Sequence, residues 1–198
     1  MQGMIEKRGS IGIIWIDNPP VNAISHAVRE GLIKAVENAS KDSEIKGLVL
    51  ACRGRTFMAG ADITEFASGV KPPWLGEVID TMSESSKVIV AAIFGTTFGG
   101  GLEVALGCNY RIADSNTKIG LPEVKLGIIP GAQGTQRLSR VSSVEFALKL
   151  ATLGNPVGAQ EALEAGAIDK ISNGELIDDA VSYLSLIHIS EPTRLSTI

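Results

Sequence analysis

The chain has 198 residues, 44% of them hydrophobic and 20% charged, which is the composition of one globular domain rather than of a disordered chain. Its formal net charge of −4 gives no electrostatic basis for binding nucleic acid. The cysteines, Cys52 and Cys108, form no CxxC pair, and the histidines lack metal-ligand spacing. We therefore expect neither a disulfide scaffold nor a metal site.

The amino-terminal sequence MQGMIEKRGS is polar where a signal peptide needs an apolar core. The longest apolar run, residues 88–94, is too short to span a bilayer, so no membrane span is expected. Because the cysteine content favours a reducing compartment, the expected location is the cytoplasm, with a peroxisome or a mitochondrion left open.

The predicted elements begin with a strand over residues 11–16, a β-branched run that ends at the turn cluster DNPP. Ser25 then resembles a helix N-cap, because the apolar residues after it recur at helical spacing: Val28, Leu32, Ala35 and Val36. Residues 46–51 (KGLVLA) predict a second strand, buried on both faces.

The second half of the chain continues this alternation, with predicted helices at 77–86, 142–153 and 159–165 and predicted strands at 87–94 and 110–113. A glycine-led helix after Phe98 and an apolar stretch over 121–131 lie between these elements. Strands that alternate with helices in this way predict an α/β domain.

The carboxyl-terminal residues have a different character. Residues 184–194 read LSLIHISEPTR, eleven consecutive residues that resemble the translation of a transposon adapter used in sequencing libraries. An ordinary helix end is the alternative. We expect a domain over residues 1–183, incomplete at its carboxyl end, and a non-native tail over 184–198 that includes His188 and carries no function.

The segment FGGGLEVAL, which starts at Phe98, places glycines between a strand and a helix. Such a helix start presents unpaired N–H groups and a partial positive charge to an anion. The dinucleotide pattern G-x-G-x-x-G fails, because the sixth position from Gly99 is Val104, and no G-x-x-x-x-G-K-[ST] occurs. Two interpretations remain: an N–H near Gly100 that polarises a carbonyl oxygen, or tight packing of a glycine-led helix.

Two carboxylates lie in apolar segments, Glu103 in this helix and Glu123 after Pro122. A favourable helix terminus would explain Glu103, and an ion pair with Lys125 would explain Glu123, although residues two apart do not face each other on a helix. Paired buried acids are also suited to moving protons to and from water. The residues themselves leave structural and catalytic roles equally open.

The segment RTFMAGADI contains a turn over residues 59–62 whose N–H groups could point inward, with Ala61 as a second donor. A strand-to-helix loop with Asp62 as the helix cap explains the same residues equally well.

Together these segments resemble the crotonase (enoyl-CoA hydratase/isomerase) family over residues 11–180. The motifs that carry the resemblance are NPPVNAIS, FMAGADITEF, FGGGLEVALGCNYRIA and GLPEVKLGIIPGAQGTQRL. GGGLEVAL and GLPEVKLG are most similar to the amino-terminal hydratase domain of multifunctional fatty-acid β-oxidation proteins. The resemblance implies a crotonase-like α/β fold of repeated ββα units, without the carboxyl-terminal helices of relatives.

The resemblance also implies residue roles. Ala61 and Gly100 would donate two main-chain hydrogen bonds to a thioester oxygen, and Glu103 and Glu123 would hold a water molecule. Gly131 would lie in the loop that places substrate and water. The implied CoA path is formed by Ala23, Ala59, Asp62 and Ile63.

The implied activity is hydration of trans-2-enoyl-CoA, with Glu123 as the principal acid/base, Glu103 as its partner, and no cofactor beyond the CoA of the substrate. Isomerisation of 3-enoyl-CoA, another crotonase-type reaction, and non-catalytic CoA binding are the alternatives. Two departures from the family pattern, Phe94 and Gln133, are expected to narrow the acyl pocket. The missing helices predict poor activity and make the homo-oligomer typical of the family doubtful.

Overall fold

The computed structural model describes residues 4–65 and 69–190, without the side chains of Met4 and of 188–190. Within these residues the strands are β1 (Met4–Arg8), β2 (Ile11–Ile16), β3 (Gly47–Cys52), β4 (Val88–Ile93), β5 (Thr96–Phe98), β6 (Tyr110–Ala113), β7 (Lys118–Gly120), β8 (Val157–Gly158) and β9 (Lys170–Ile171). The α-helices are α1 (His26–Lys41), α2 (Leu75–Ser83), α3 (Gly100–Gly107), α4 (Gly134–Val141), α5 (Val144–Leu153), α6 (Ala159–Glu164) and α7 (Leu176–Ser190), and a 3₁₀ helix spans Pro122–Leu126.

The larger sheet has the strand order β1-β2-β3-β4-β6-β9. β1 pairs antiparallel with β2, and every later pairing in this sheet is parallel. Parallel neighbours require crossover connections, which helices α1, α2 and α3 supply in turn between β2 and β6. All six residues of β3 are buried, as expected for a central parallel strand covered on both faces.

The two faces of this sheet carry separate hydrophobic clusters. Alternate residues of β3 divide between them: Leu48 and Leu50 belong to the cluster beneath α1, α2 and α3, and Val49 and Ala51 to the opposite one. Helix α7 covers the second face with Ala180 and Leu184. The predicted tail begins at residue 184, so its first residues belong to this helix. The origin of the tail stays a prediction, and residues 191–198 lie outside the described part of the chain.

A second, three-stranded sheet with the order β5-β7-β8 brings two segments of the site together. Phe98 at the end of β5 pairs with Gly120 at the end of β7. Since α3 follows β5 and the 3₁₀ helix follows β7, this pairing places the starts of the two helices beside each other.

Most of the predicted elements are confirmed with small changes of boundary. Ser25 caps α1 by accepting the N–H of Val28, and β2 and β6 have their predicted limits. The predicted helix over 142–153 starts later, at Val144, because Ser143 caps the N–H of Phe146, and a separate helix, α4, precedes it. Among residues 4–65 and 69–190 we find no helix long and apolar enough to cross a membrane.

Candidate active site

A cavity of about 430 Å³ opens where the loop after β3, the start of α3 and the 3₁₀ helix meet. Its wall is mostly apolar, with a few polar groups, as in pockets that bind small organic ligands. Of the predicted site residues, the ones that line it are Ala59, Ala61, Asp62, Ile63, Gly100, Glu103, Glu123 and Gly131. Ala23 is not part of the lining; its carbonyl oxygen accepts a hydrogen bond from the Asn18 side chain, 2.7 Å away.

The N–H of Ala61 is oriented by the hydrogen bond on the other side of its own peptide. The carbonyl of Gly60 accepts the N–H of Ile24 at 2.9 Å, and an isolated parallel bridge joins Ile24 to Ala61. In a trans peptide the C=O and N–H point in opposite directions, so the Ala61 N–H points away from Ile24. Ala61 lines the cavity, and its N–H has no partner among the described residues.

The N–H of Gly100 is oriented in the same manner at the start of α3. The Gly99 carbonyl accepts the N–H of Glu103 at 3.0 Å, along the helix, so the Gly100 N–H points out of the helix start. A Cβ atom on Gly100 would lie 3.6 Å from the Ala61 nitrogen, so the two donors are neighbours. Within the described part of the chain, this N–H also has no acceptor.

Close backbone packing holds these two donors together. A Cβ atom on Gly101 would lie only 2.0 Å from the carbonyl oxygen of Met58, so no other residue fits there without movement of the main chain. The same oxygen accepts the N–H of Phe98 at 3.2 Å. The helix is therefore tightly packed, and that packing places its first N–H at the cavity; polarisation of a carbonyl oxygen by this N–H stays a prediction.

Glu103 is 2% exposed, and a loop holds its carboxylate. Its Oε1 accepts the N–H groups of Ala132 and Gly134, each at 2.8 Å. Burial raises the pKa of Glu103 above its usual range, and the two N–H donors act in the opposite direction. These bonds orient the acid and leave its Oε2 without a hydrogen bond from the described residues.

Glu123 is 8% exposed and lies in the first turn of the 3₁₀ helix. Its Oε2 is buried and has no hydrogen-bond partner among the described residues. Burial raises the pKa of Glu123, its own N–H lowers it, and the charge of Glu103 raises it further. The ion-pair alternative is wrong, since the Lys125 ammonium binds Asn155 instead.

The expected effects of Phe94 and Gln133 on the acyl pocket are wrong, since neither residue lines the cavity. Gln133 has a left-handed backbone, with φ of 73°, and its side chain turns outward. It donates to Asp80 on α2 at 2.7 Å and accepts from Arg137 on α4 at 2.9 Å. Gln133 thus ties the loop that holds Glu103 to α2.

The sequence reasoning missed several residues of the cavity wall. Trp74, Leu75, Leu126, Ile128 and Ile129 supply apolar surface, and Ile129 is 80% exposed at the opening. Arg29 also lines the cavity although it is 3% exposed. A charged residue directly after Val28 on the apolar stripe of α1 was the available signal.

Relatives of known sequence match nearly the whole chain. A family model for enoyl-CoA hydratase/isomerase matches residues 6–197. A peroxisomal bifunctional enzyme of Cavia porcellus is 44% identical over 191 residues, which cover 94% of this chain and 26% of that protein. A probable enoyl-CoA hydratase of Bacillus subtilis is 36% identical over 197 residues, covering 95% of this chain and 76% of the relative.

Solved structures confirm the predicted crotonase fold. A carnitinyl-CoA hydratase from Mycobacterium avium matches with a TM-score of 0.87 at 32% identity, covering 97% of this chain and 77% of that one. An enoyl-CoA hydratase from Bacillus anthracis matches with a TM-score of 0.86 at 29% identity, covering 93% and 75%. The chain spans about a quarter of the length of the peroxisomal relatives it matches. On the profile match and these identities, the chain belongs to the enoyl-CoA hydratase/isomerase family.

Proposed function

We propose that this domain adds water across the C2=C3 bond of trans-2-enoyl-CoA thioesters, as in fatty-acid β-oxidation. The observation that carries the proposal is the pair of buried acids, Glu103 and Glu123, in one cavity with two unpartnered N–H donors. Two acids allow one proton to be removed and another supplied in the same site. A site built only for binding has no need of two buried carboxyl groups with raised pKa.

The N–H groups of Ala61 and Gly100 hold the thioester oxygen. As water adds at C3, that oxygen gains negative charge and the thioester becomes an enolate. The two donors bind this charge more strongly than the neutral carbonyl, so they lower the barrier to the reaction. The start of α3 adds partial positive charge on the same side.

The two acids divide the proton transfers. The two N–H donors on Glu103 favour its ionised form, so its carboxylate accepts a proton from the attacking water as the O–C3 bond forms. Glu123, whose pKa is raised by burial and by Glu103, delivers a proton to C2 of the enolate. The next water molecule then accepts the proton from Glu103 and donates one to Glu123, which restores the starting protonation states of both acids.

Substrate binding follows from the shape of the opening. The CoA portion runs past Ala59, Asp62 and Ile63 on the cavity wall, with Gly131 beside the reacting atoms. Ile63 is 70% exposed and offers apolar contact at the opening of the cavity. The reaction as proposed uses no metal and no cofactor, since the protein groups supply both the charge stabilisation and the protons.

The names of relatives support a role in fatty-acid degradation. Besides the peroxisomal bifunctional enzyme, the chain is similar to a glyoxysomal fatty acid β-oxidation multifunctional protein of Cucumis sativus, to which it is 39% identical over 172 residues. The peroxisome is therefore the compartment to test first, beside the cytoplasm that the cysteine content favours.

A second candidate activity is isomerisation of 3-enoyl-CoA to 2-enoyl-CoA. It is favoured by the unpartnered Oε2 of Glu123, because one acid next to the oxyanion donors can move a proton between C4 and C2. Hydration additionally needs an acid to orient water, which is the role of Glu103.

Product analysis separates these activities. The purified chain is incubated with a trans-2-enoyl-CoA or a 3-enoyl-CoA, and products are resolved by chromatography under single-turnover conditions. We expect 3-hydroxyacyl-CoA from the 2-enoyl substrate, with Glu103→Gln losing hydration more strongly than isomerisation. Formation of 2-enoyl-CoA alone would make isomerisation the main activity. Thioester binding without any product would leave only the binding function.

A further inference from the structure

We propose that Arg29 is a positioning residue that fixes both the Ala61 donor and the acyl wall formed by Trp74 and Leu75. This inference rests on the proposed function, since it concerns how the same site polarises a thioester. Arg29 lies on α1, is 3% exposed, and is distinct from the acids and donors that contact the reacting atoms.

The Arg29 guanidinium joins separate segments around the cavity. Nη1 donates to the carbonyl of Ile24 at 3.2 Å and to Glu65 Oε2 at 2.9 Å. Nη2 donates to the carbonyl of Lys71 at 2.9 Å, and Nε to that of Pro73 at 2.7 Å. A planar group with fixed donor directions can make these bonds at once, whereas a lysine ammonium cannot reach all of them.

One arm of this network reaches the oxyanion donor. Ile24 is the residue whose N–H holds the Gly60 carbonyl and thereby sets the direction of the Ala61 N–H. The Ile24 carbonyl, on the other side of the same residue, accepts from Arg29. The path from Arg29 to the donor therefore consists of one hydrogen bond from the guanidinium to the Ile24 carbonyl and one main-chain hydrogen bond from the Ile24 N–H to the Gly60 carbonyl, at the bridge that joins Ile24 to Ala61.

The other arm reaches the acyl wall. His26, one turn before Arg29 on α1, contacts the Pro72 carbonyl through Nε2 at 2.9 Å. Together the two side chains hold three consecutive carbonyl groups, at positions 71–73. Trp74 and Leu75 follow directly, and the Leu75 Cδ2 atom lies 3.0 Å from where a Cβ of Gly100 would be. Arg29 thus anchors both the wall beside the Gly100 donor and the Ala61 donor.

The test compares Arg29→Lys and Arg29→Met with a matched control, Arg111→Met. Arg111 is also 3% exposed and paired with a carboxylate, Asp169, but it binds the Cys108 carbonyl at the far end of α3 from the cavity. For each variant we measure thermal unfolding, kcat and KM. The infrared carbonyl stretch of a bound 2-enoyl-CoA labelled with ¹³C at C1 reports how strongly the donors polarise the thioester.

We expect both Arg29 variants to lower kcat by about 10²-fold, the loss that a small misplacement of a catalytic group causes. In both variants the carbonyl stretching frequency of the bound 2-enoyl-CoA should return toward that of the free thioester. Arg111→Met should lower the unfolding temperature yet leave the stretch as in the wild type. His26→Ala, which loses the bond to Pro72, should raise KM without altering the stretch. If Arg29→Met fails to fold, Arg29→Lys, which retains the positive charge, carries the test.

A carbonyl stretch and kcat of wild-type size in Arg29→Lys, at an equal folded fraction, would overturn the positioning role while the proposed function stands. So would an equal loss of carbonyl polarisation in Arg111→Met, because the effect would then follow stability alone. If the wild-type chain itself does not shift the carbonyl stretch, the proposed function fails, and this inference fails with it.

Discussion

Glu103 and Gly134 meet so closely that a side chain at position 134 would have to displace the Glu103 carboxylate. The N–H of Gly134 donates to Glu103 Oε1 at 2.8 Å, and a Cβ atom at position 134 would lie 2.8 Å from the same oxygen and from Cγ. The acid is therefore held by a backbone that has no side chain at the point of contact.

Replacing Gly134 with alanine tests this contact. The added methyl group displaces the Glu103 carboxylate from its two N–H donors, and we expect kcat for hydration to fall by about 10²-fold. Gly158→Ala is the control, because a Cβ there meets nothing within 4 Å and the residue lies outside the cavity. Steady-state hydration assays on both variants measure the difference; equal rates would show that the contact does not position the acid.

Replacing Glu123 with glutamine removes the proposed proton donor to C2. We expect kcat to fall by about 10²–10⁴-fold, the usual contribution of general acid–base catalysis, with thioester binding retained. Glu145→Gln, a change of the same kind on an exposed residue of α5, should leave the rate unchanged. Loss of binding together with rate in Glu123→Gln would point to a folding defect rather than to lost chemistry, and calorimetric titration with a thioester distinguishes the two.

The buried acids also predict how stability depends on pH. Burial raises the folded-state pKa of both Glu103 and Glu123 above the ordinary value of 4.5, so the folded state binds these protons more tightly than the unfolded chain does. Their contribution to stability is therefore fully present below pH 4.5 and is lost as the pH rises through the raised values.

Glu123→Gln should consequently be more stable than the wild type near neutral pH, and the difference should shrink as the pH is lowered. Denaturant unfolding across this range provides the measurement. If Glu123→Gln and the wild type are equally stable at neutral pH, or if the variant is the less stable of the two there, the buried carboxylate is not destabilising.

The contact of Gly101 with Met58 predicts a large loss of stability. A methyl group at position 101 would overlap a main-chain carbonyl that cannot rotate away, so we expect Gly101→Ala to cost at least the 1–3 kcal/mol typical of overpacking. Gly76→Ala, also within a helix but with nothing within 4 Å of its Cβ, should instead be stabilising by about 0.5–1 kcal/mol. Urea titrations of the two variants compare these effects, and similar midpoints would contradict the predicted overlap.

The central strands were predictable because their continuous apolar runs are typical of strands buried on both faces, as in β3. Strand β1 was not, because its sequence, MIEKR, is largely charged; it forms by pairing antiparallel with β2 at the edge of the sheet. The three-residue strands β5 and β7 are too short for a periodic signal, and only tertiary pairing defines them.

In the candidate site, the resemblance implied roles for the acids and the donors, which the residues alone left open; the structure brings these four residues to one cavity, and their roles stay predictions. The position of Arg29 on the apolar stripe of α1 was a signal in the local sequence, but its partners were hidden because Glu65, Lys71 and Pro73 come from a later part of the chain. The outward side chain of Gln133 was equally hidden, since its partner Asp80 lies 53 positions away.

The two proposed oxyanion donors, the N–H groups of Ala61 and Gly100, belong to the main chain, and they are held together where Gly101 packs on the Met58 carbonyl. Among single replacements only proline deletes a main-chain N–H, so substitutions in the apolar lining, at Trp74 or Leu126 for example, can change which acyl groups fit while the proposed charge-stabilising step is retained. Under the proposed function, acyl preference is therefore free to diverge among descendants of this chain faster than the reaction itself.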